Sequence, residues 1–376
     1  MESHSKMDTD LFDYHLPERL IAQTPAARRD ASKLLVVNRA TGTISHHIFS
    51  DLPELLPAGT RLFRNNAAVL QARLTGEREG SGGKVECLLL RPGEIPTRWW
   101  CLLKPGKKAA HGYFGVPGLF RAHVIDKEIC DEGGGEYLVE FEMCVPGENV
   151  LDVAEKIGQL PLPPYITRAR PAGTDFSALD KERYQTVYAE REHPVAAAAP
   201  TAGLHFTDEL LAKLRSRGVN QFDLTLHIGL GTFQPIKSQK IEEHPMHKEF
   251  YTIPAGTRAE LDKVDPANSP RLAVGTTSLR TMEDFARRSR AGDPAIAKTG
   301  SVAATAGLFV FPPQQILGAD ILITNFHLPK STLMCLVSAF LTPGELRGIE
   351  WLKEIYAEAI RENYRFYSYG DAMLIL

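Results

Sequence analysis

The chain reads as an α/β protein: a layered mixed sheet with flanking helices, carrying an inserted small all-β barrel. Three observations predict this. Short, mainly apolar strand-like stretches at residues 195–199, 271–275 and 320–324 each pass through a small polar loop into a helical pattern. Between about 70 and 150 the character changes to brief apolar runs separated by Pro and Gly turns, the spacing of a small barrel or sandwich. Helical periodicity returns after that block. The expected organisation is therefore a main domain of residues 1–69 and 151–376, with 70–150 inserted. A length of 376 residues favours two domains over one.

Taken in order, residues 1–10 are polar. Pro17 suits the start of a short helix that Pro25 ends. Residues 34–38 and 44–49 are β-rich and flank Thr41-Gly42, so they predict a hairpin; 60–63 predicts a further strand. In the barrel block, 84–90, 99–103, 120–125 and the alternating stretch 137–145 predict strands, with Gly133-Gly134-Gly135 as a hairpin turn. Leu160-Pro161-Leu162-Pro163-Pro164-Tyr165-Ile166 is a stiff connector back to the main domain. Residues 180–189 predict a helix. The stretch 195–233 predicts strand, loop, helix, strand and glycine loop. Thr207 is the N-cap, Phe206 and Leu211 form a hydrophobic staple, and Gly218 is the helix stop. Helices are expected at 333–341 and 349–361, and a loop with an apolar tail at 367–375.

Apolar residues make up 43% and charged residues 24%, as in a soluble globular protein. The five cysteines, Cys87, Cys101, Cys130, Cys144 and Cys335, are odd in number and form no CxxC pair, which points to a reduced, cytoplasmic protein. There is no apolar signal-like segment, and no membrane association is expected. A net charge of −3 means that any nucleic acid must be held by a local patch.

If the strands are parallel, the loops at 200–206, 275–278 and 325–330 fall on one sheet edge, where helix N-termini and ligands meet. Thr201, Thr276, Thr277, Ser278, Ser331, Asn325, His205 and His327 would then converge. The bland alternative is that each Thr or Ser is only a cap. Imidazoles titrate near neutrality, so the histidines are candidates for proton transfer. They are equally candidates for structural hydrogen bonding. His244, His247 and Glu249 could ligate a metal, but Pro245 breaks a regular helix and no HExxH spacing occurs; no metal is expected. Gly229 and Gly231 are half of a dinucleotide fingerprint, and Pro235 opposes the helix it needs. Lys104, Lys107 and Lys108 beside Trp99-Trp100 could grip a nucleic-acid backbone and stack a base, or could be a solvated turn over a barrel core. Arg280, Arg287, Arg288 and Arg290 form a second basic face.

Long runs across the chain resemble the bacterial S-adenosylmethionine:tRNA ribosyltransferase-isomerase family of queuosine biosynthesis. They include Phe12-Asp13-Tyr14, Leu162-Pro163-Pro164-Tyr165-Ile166, Glu182-Arg183-Tyr184-Gln185-Thr186-Val187-Tyr188-Ala189, Ala199-Pro200-Thr201-Ala202-Gly203-Leu204-His205-Phe206-Thr207, Thr225-Leu226-His227, Val274-Gly275-Thr276-Thr277-Ser278 and 324–333. The resemblance implies an α/β domain with an inserted barrel. It implies S-adenosylmethionine as substrate rather than cofactor, and tRNA with a modified wobble guanine as partner. The reaction implied is ribosyl transfer and isomerisation onto 7-aminomethyl-7-deazaguanine, giving epoxyqueuosine-tRNA, adenine and methionine. A monomer is expected. His205, His327 and Asp371 are the expected catalytic residues. Thr201, Gly203, His227, Gly229, Gly231, Thr232, Thr276, Thr277, Ser278, Asn325, Lys330 and Ser331 are the expected substrate contacts, with Lys330 as a carboxylate anchor. The chain departs from the family at Asn65-Asn66-Ala67-Ala68, where Asn-Asp-Thr-Arg or -Lys is usual. A catalytically inactive tRNA-binding paralogue and a metal-dependent hydrolase are the alternatives.

Overall fold

Strands that bury both faces read as unbroken apolar runs, because successive side chains point to opposite sides. Strand β1 (Lys33–Asn38) does this: Leu34 and Val36 enter one core layer, Leu35 and Val37 the other. The computed structural model describes residues 6–129, 135–168, 176–190, 196–229, 235–296 and 299–376. β2 (Thr43–Ile48) completes the predicted hairpin, and the short helix α1 (Leu52–Leu55) and strand β3 (Arg61–Asn65) follow. The barrel then comprises β4 (Arg73–Arg78), β5 (Lys84–Pro92), β6 (Arg98–Lys104), helix α2 (Gly106–Ala109), β7 (Tyr113–Val116), β8 (Phe120–Ile129) and β9 (Gly135–Met143). These strands close antiparallel in the order β4-β5-β6-β9-β8-β7. Helix α3 (Val150–Ile157) lays Val150, Val153 and Ala154 into the same core as the barrel strands.

The chain continues through α4 (Ser177–Arg183), α5 (Asp208–Ser216), β10 (Asn220–Leu226), β11 (Glu249–Ile253), α6 (Ala255–Leu261), β12 (Arg271–Val274) and α7 (Gly275–Arg290). It ends with β13 (Val302–Ala306), β14 (Ile321–Asn325), α8 (Thr332–Leu341), α9 (Gly348–Arg361) and β15 (Ala372–Ile375). Among the described residues the main sheet has nine strands in the order β13-β11-β10-β3-β12-β14-β15-β1-β2. β10, β3, β12 and β14 run parallel, while β15 is antiparallel to β14 and β1 parallel to β15. One edge therefore gathers the C-terminal ends of β3, β10, β12 and β14 with the N-terminal ends of β1 and β15. α1 and α5 cover one face through Leu52, Leu210, Leu211 and Leu214. α7, α8 and α9 cover the other, through residues such as Leu279, Val337 and Leu352.

Three expectations are corrected. The helix expected at 180–189 stops at Arg183, because Tyr184 turns inward to be fully buried against Tyr369, with ring centroids 5.8 Å apart. Gln185 then accepts from the Val69 amide at 3.0 Å, so tertiary contacts override the helical pattern. The alanine run at 196–199 is buried but is no strand of the sheet. Ala196 bridges Val69, and the Ala197 amide donates to the Ile228 carbonyl at 3.0 Å. Small side chains let these segments approach. The C-terminal tail is a sheet strand, β15, whose residues are all buried. Helix α5 is as read: Thr207 Oγ1 accepts from the Leu210 amide at 3.1 Å, and Gly218 leaves at φ +80°.

Candidate active site

Gly275 ends β12 in the left-handed region at φ +86°, which turns the chain sharply into α7 and leaves Thr276 and Thr277 on its first turn. Asn325 ends β14, and Ser331 caps α8 by accepting from the Met334 amide at 3.2 Å. A 3-10 turn, Thr201–His205, lies over the same edge. The three junctions converge as expected. They line a pocket open to solvent, whose wall includes Thr201, Thr276, Thr277, Asn325, His327 and Ser331.

The expected residues divide into two groups. His327 faces the pocket. Its Nε2 is 2.9 Å from Thr324 Oγ1, and no partner for Nδ1 occurs among the described residues. Its backbone is clamped on both sides, with the amide donating to Tyr356 Oη at 3.0 Å and the carbonyl accepting from Tyr14 Oη. Burial pushes the imidazole down to about 3, so it is neutral at pH 7. Thr276 is 7% exposed, and Thr277 Oγ1 is a buried hydroxyl with no hydrogen-bond partner among the described residues. Such an orphan is the kind of group a ligand satisfies.

His205 lies behind the wall. It stacks on Phe49 with centroids 5.0 Å apart, and both ring nitrogens are engaged: Nδ1 by Ser32 Oγ at 2.6 Å and Nε2 by Asn325 Nδ2 at 3.3 Å. Burial, helped by the positive Arg365 and Arg29, pushes it down to about 3. Asp371 is 2% exposed and tied within the protein. Its Oδ2 accepts from the Arg365 amide at 2.7 Å and its Oδ1 from the Lys33 amide at 3.1 Å and the Arg365 guanidinium at 3.3 Å. Ser278 donates to the Val274 carbonyl of its own helix start at 2.7 Å and faces away. Gly203 is a packing position, where an added Cβ would lie 2.0 Å from Tyr188 Oη.

Lys330 does not line the pocket. Its Nζ contacts Asp10 at 2.8 Å and Asp13 at 3.1 Å, and these bonds hold its pKa above the usual lysine value. His227 packs edge-on against Phe250 at 5.2 Å, and burial lowers its pKa. The Gly229 amide donates to Glu249 at 3.0 Å. Gly231 and Thr232 lie outside the described residues.

Sequence reasoning missed a third wall. Tyr165, Tyr367 and Ser368 also line the pocket. Tyr165 Oη and Ser368 Oγ are 2.6 Å apart, and the two tyrosine rings meet at a tilt of 50° with centroids 4.5 Å apart. Burial raises both tyrosines, Tyr367 to about 12. The available signal was Tyr165 itself, an aromatic in an otherwise apolar proline connector.

The other candidate groups have contacts of their own. Among the described residues no three His, Cys, Asp or Glu side chains stand together as a metal would need. Glu249 is instead spent on Arg280 at 2.8 Å. The second basic face is largely neutralised, with Arg287 on Glu283 and Arg288 on Asp284, each at 2.8 Å. Trp99 is barrel core at 8% exposure, while Lys104, Lys107 and Lys108 are exposed. The divergent Asn65–Ala68 loop lies outside the pocket wall. Asn65 Oδ1 accepts from the Ala67 and Leu226 amides at 3.0 and 3.1 Å, making it a built turn.

The family model described as "Queuosine biosynthesis protein" matches residues 9–375. A protein of Desulfitobacterium hafniense named S-adenosylmethionine:tRNA ribosyltransferase-isomerase is 43% identical, over 98% of this chain and 100% of its own. One of the same name from Symbiobacterium thermophilum is 45% identical, over 97% and 98%. The crystal structure of S-adenosylmethionine tRNA ribosyltransferase from Thermotoga maritima is similar at TM-score 0.52 and 31% identity, covering 97% of this chain and 100% of that one. With a match across nearly its whole length, the chain belongs to the queuosine biosynthesis protein family.

Proposed function

We propose that this protein transfers and isomerises the ribosyl moiety of S-adenosylmethionine onto 7-aminomethyl-7-deazaguanine in tRNA, releasing adenine and methionine and leaving epoxyqueuosine-tRNA. The observation that carries the reading is the convergence of Thr201, Thr276, Asn325 and His327 on one pocket, in a chain whose relatives of that name match it end to end. The chemistry asks for a base, either at the aminomethyl nucleophile or at the carbon acidified by the neighbouring sulfonium. It also asks for donors that let adenine leave and for polar anchors on the rest of the substrate.

His327 is the base in this proposal. Burial keeps the ring neutral and so able to accept a proton, although the same burial makes it a weak base. For Nδ1 to offer its lone pair to the pocket, Nε2 carries the proton and donates to Thr324 Oγ1. The Thr276 and Thr277 hydroxyls, at the start of α7, are suited to polar parts of the substrate. Asp371 and His205 act through structure, since their polar atoms are already engaged.

The test is incubation with S-adenosylmethionine and tRNA bearing the aminomethyl-deazaguanine base, reading free adenine and the nucleoside mass. Adenine release with the epoxide-bearing mass is expected, and His327→Ala should lower kcat about 10²- to 10⁴-fold. A folded protein that binds tRNA but releases no adenine would instead be a binding paralogue. Binding of tRNA should weaken with salt by roughly 0.7–0.9 log units per log unit for each phosphate contact.

A further inference from the structure

The hydrogen bonds behind the pocket wall form a chain whose direction is fixed by groups with only one role. The Asp371 carbonyl can only accept, so the Asn325 amide nitrogen faces it at 3.4 Å. The amide oxygen therefore faces Thr201, whose hydroxyl donates to it at 2.8 Å. The same amide nitrogen is 3.3 Å from His205 Nε2, which must then be the unprotonated nitrogen. His205 Nδ1 accordingly carries the proton and donates to Ser32 Oγ at 2.6 Å. Ser32 can accept it, because its own proton goes to the Arg29 carbonyl at 3.1 Å. The chain ends at Thr201 Oγ1 with its one proton already committed. Thr201 lines the pocket, so what it can offer a ligand is lone pairs.

We infer that Thr201 is an acceptor-only anchor that selects an O–H or N–H donor of bound S-adenosylmethionine, either a ribose hydroxyl or the methionine ammonium, and that His205 is the positioning residue that sets this polarity. The ligand named here rests on the reading under Proposed function. The polarity rests on the hydrogen bonds alone. His205 does not contact the ligand. It holds the Asn325 amide one way round, and Asn325 holds the threonine proton away from the pocket. A hydroxyl free to rotate could serve a donor or an acceptor equally; this one discriminates.

The experiment uses the full chain with S-adenosylmethionine and no tRNA. Calorimetric Kd is measured for wild type, Thr201→Ser and Thr201→Val, with circular dichroism to check folding. Thr201→Ser should bind as wild type, and Thr201→Val about five- to tenfold more weakly, the effect of one hydrogen bond. Analogues lacking a ribose hydroxyl, or lacking the ammonium group, identify the donor: with the right one removed, wild type and Thr201→Val bind equally. Equal binding of intact S-adenosylmethionine by wild type and Thr201→Val overturns the anchor, as does a gap that survives every analogue. Nitrogen NMR of the His205 ring should report the Nδ1-protonated tautomer in the free protein, and an Nε2-protonated ring overturns the polarity. If wild type does not bind S-adenosylmethionine at all, the functional reading and this ligand both fail. If it binds and turns over while Thr201→Val is silent, only the inference fails.

Discussion

Two histidines buried in the neutral form make this fold acid-sensitive, and the size of the effect can be worked out. His205 and His327 are 4% and 9% exposed, and burial pushes each from the ordinary value of 6.5 down to about 3. In the unfolded chain both take up a proton near pH 6.5; in the folded chain neither does until about pH 3. The unfolded state therefore binds more protons throughout that window, so stability is retained above pH 6.5 and lost progressively as pH falls towards 3. At pH 5 the penalty is about 2 kcal/mol for each histidine, roughly 4 kcal/mol for the pair, against almost nothing at pH 7. That is a large share of a typical folding stability of about 5–15 kcal/mol. The assay is urea unfolding at pH 7.5, 6 and 5 for wild type, His205→Gln and His327→Gln. Each substitution removes one titrating group, so each should flatten the loss between pH 7.5 and 5 by about 2 kcal/mol, whatever it does to absolute stability. If His205→Gln leaves the pH dependence of wild type unchanged, the buried-neutral assignment is wrong.

Asp371→Ala should destabilise the fold by about 3 kcal/mol, because it strips the Arg365 and Lys33 donors of their carboxylate. Thermal unfolding measures the loss, and turnover at a permissive temperature should persist, which a catalytic acid would not allow. Gly203→Ala would place a methyl 2.0 Å from Tyr188 Oη, so it should cost about 1–3 kcal/mol by the same measurement. Lys330→Ala should leave the Kd for S-adenosylmethionine unchanged, since its charge is spent on Asp10 and Asp13; a marked weakening would restore it as an anchor.

Local order determined much of this protein. Continuous apolar runs at 34–37, 272–274 and 321–323 specify strands buried on both faces, and their neighbours at Gly275 and Asn325 specify where the chain turns. The Thr207 cap and the Gly218 stop bound helix α5 without tertiary help. The alternating block from 73 to 143 encodes a barrel, because period-two patterning has one inward face to bury. Two of the three pocket loops could be read as one site because the parallel strands β12 and β14 put their C-terminal ends on one edge, and the third joins them without a sheet strand before it. Long matching runs also pointed to the family.

What only the tertiary structure decided is which polar side chains face the pocket and which face inward. His205 and His327 are the same residue type, each in a segment that leads into a helix. One is engaged at both nitrogens by Ser32 and Asn325, and the other lines the pocket with only Nε2 engaged, by Thr324. Asp371 looked like an acid on a returning tail, and its partners come from β1 and from Arg365, six residues back, brought together only when β15 inserts between β14 and β1. Tyr165 and Tyr367 form a wall from segments some 200 residues apart in sequence. Sequence patterning records how often a residue turns towards the core. It does not record what waits there, because hydrogen-bond partners are set by long-range packing rather than by neighbours along the chain.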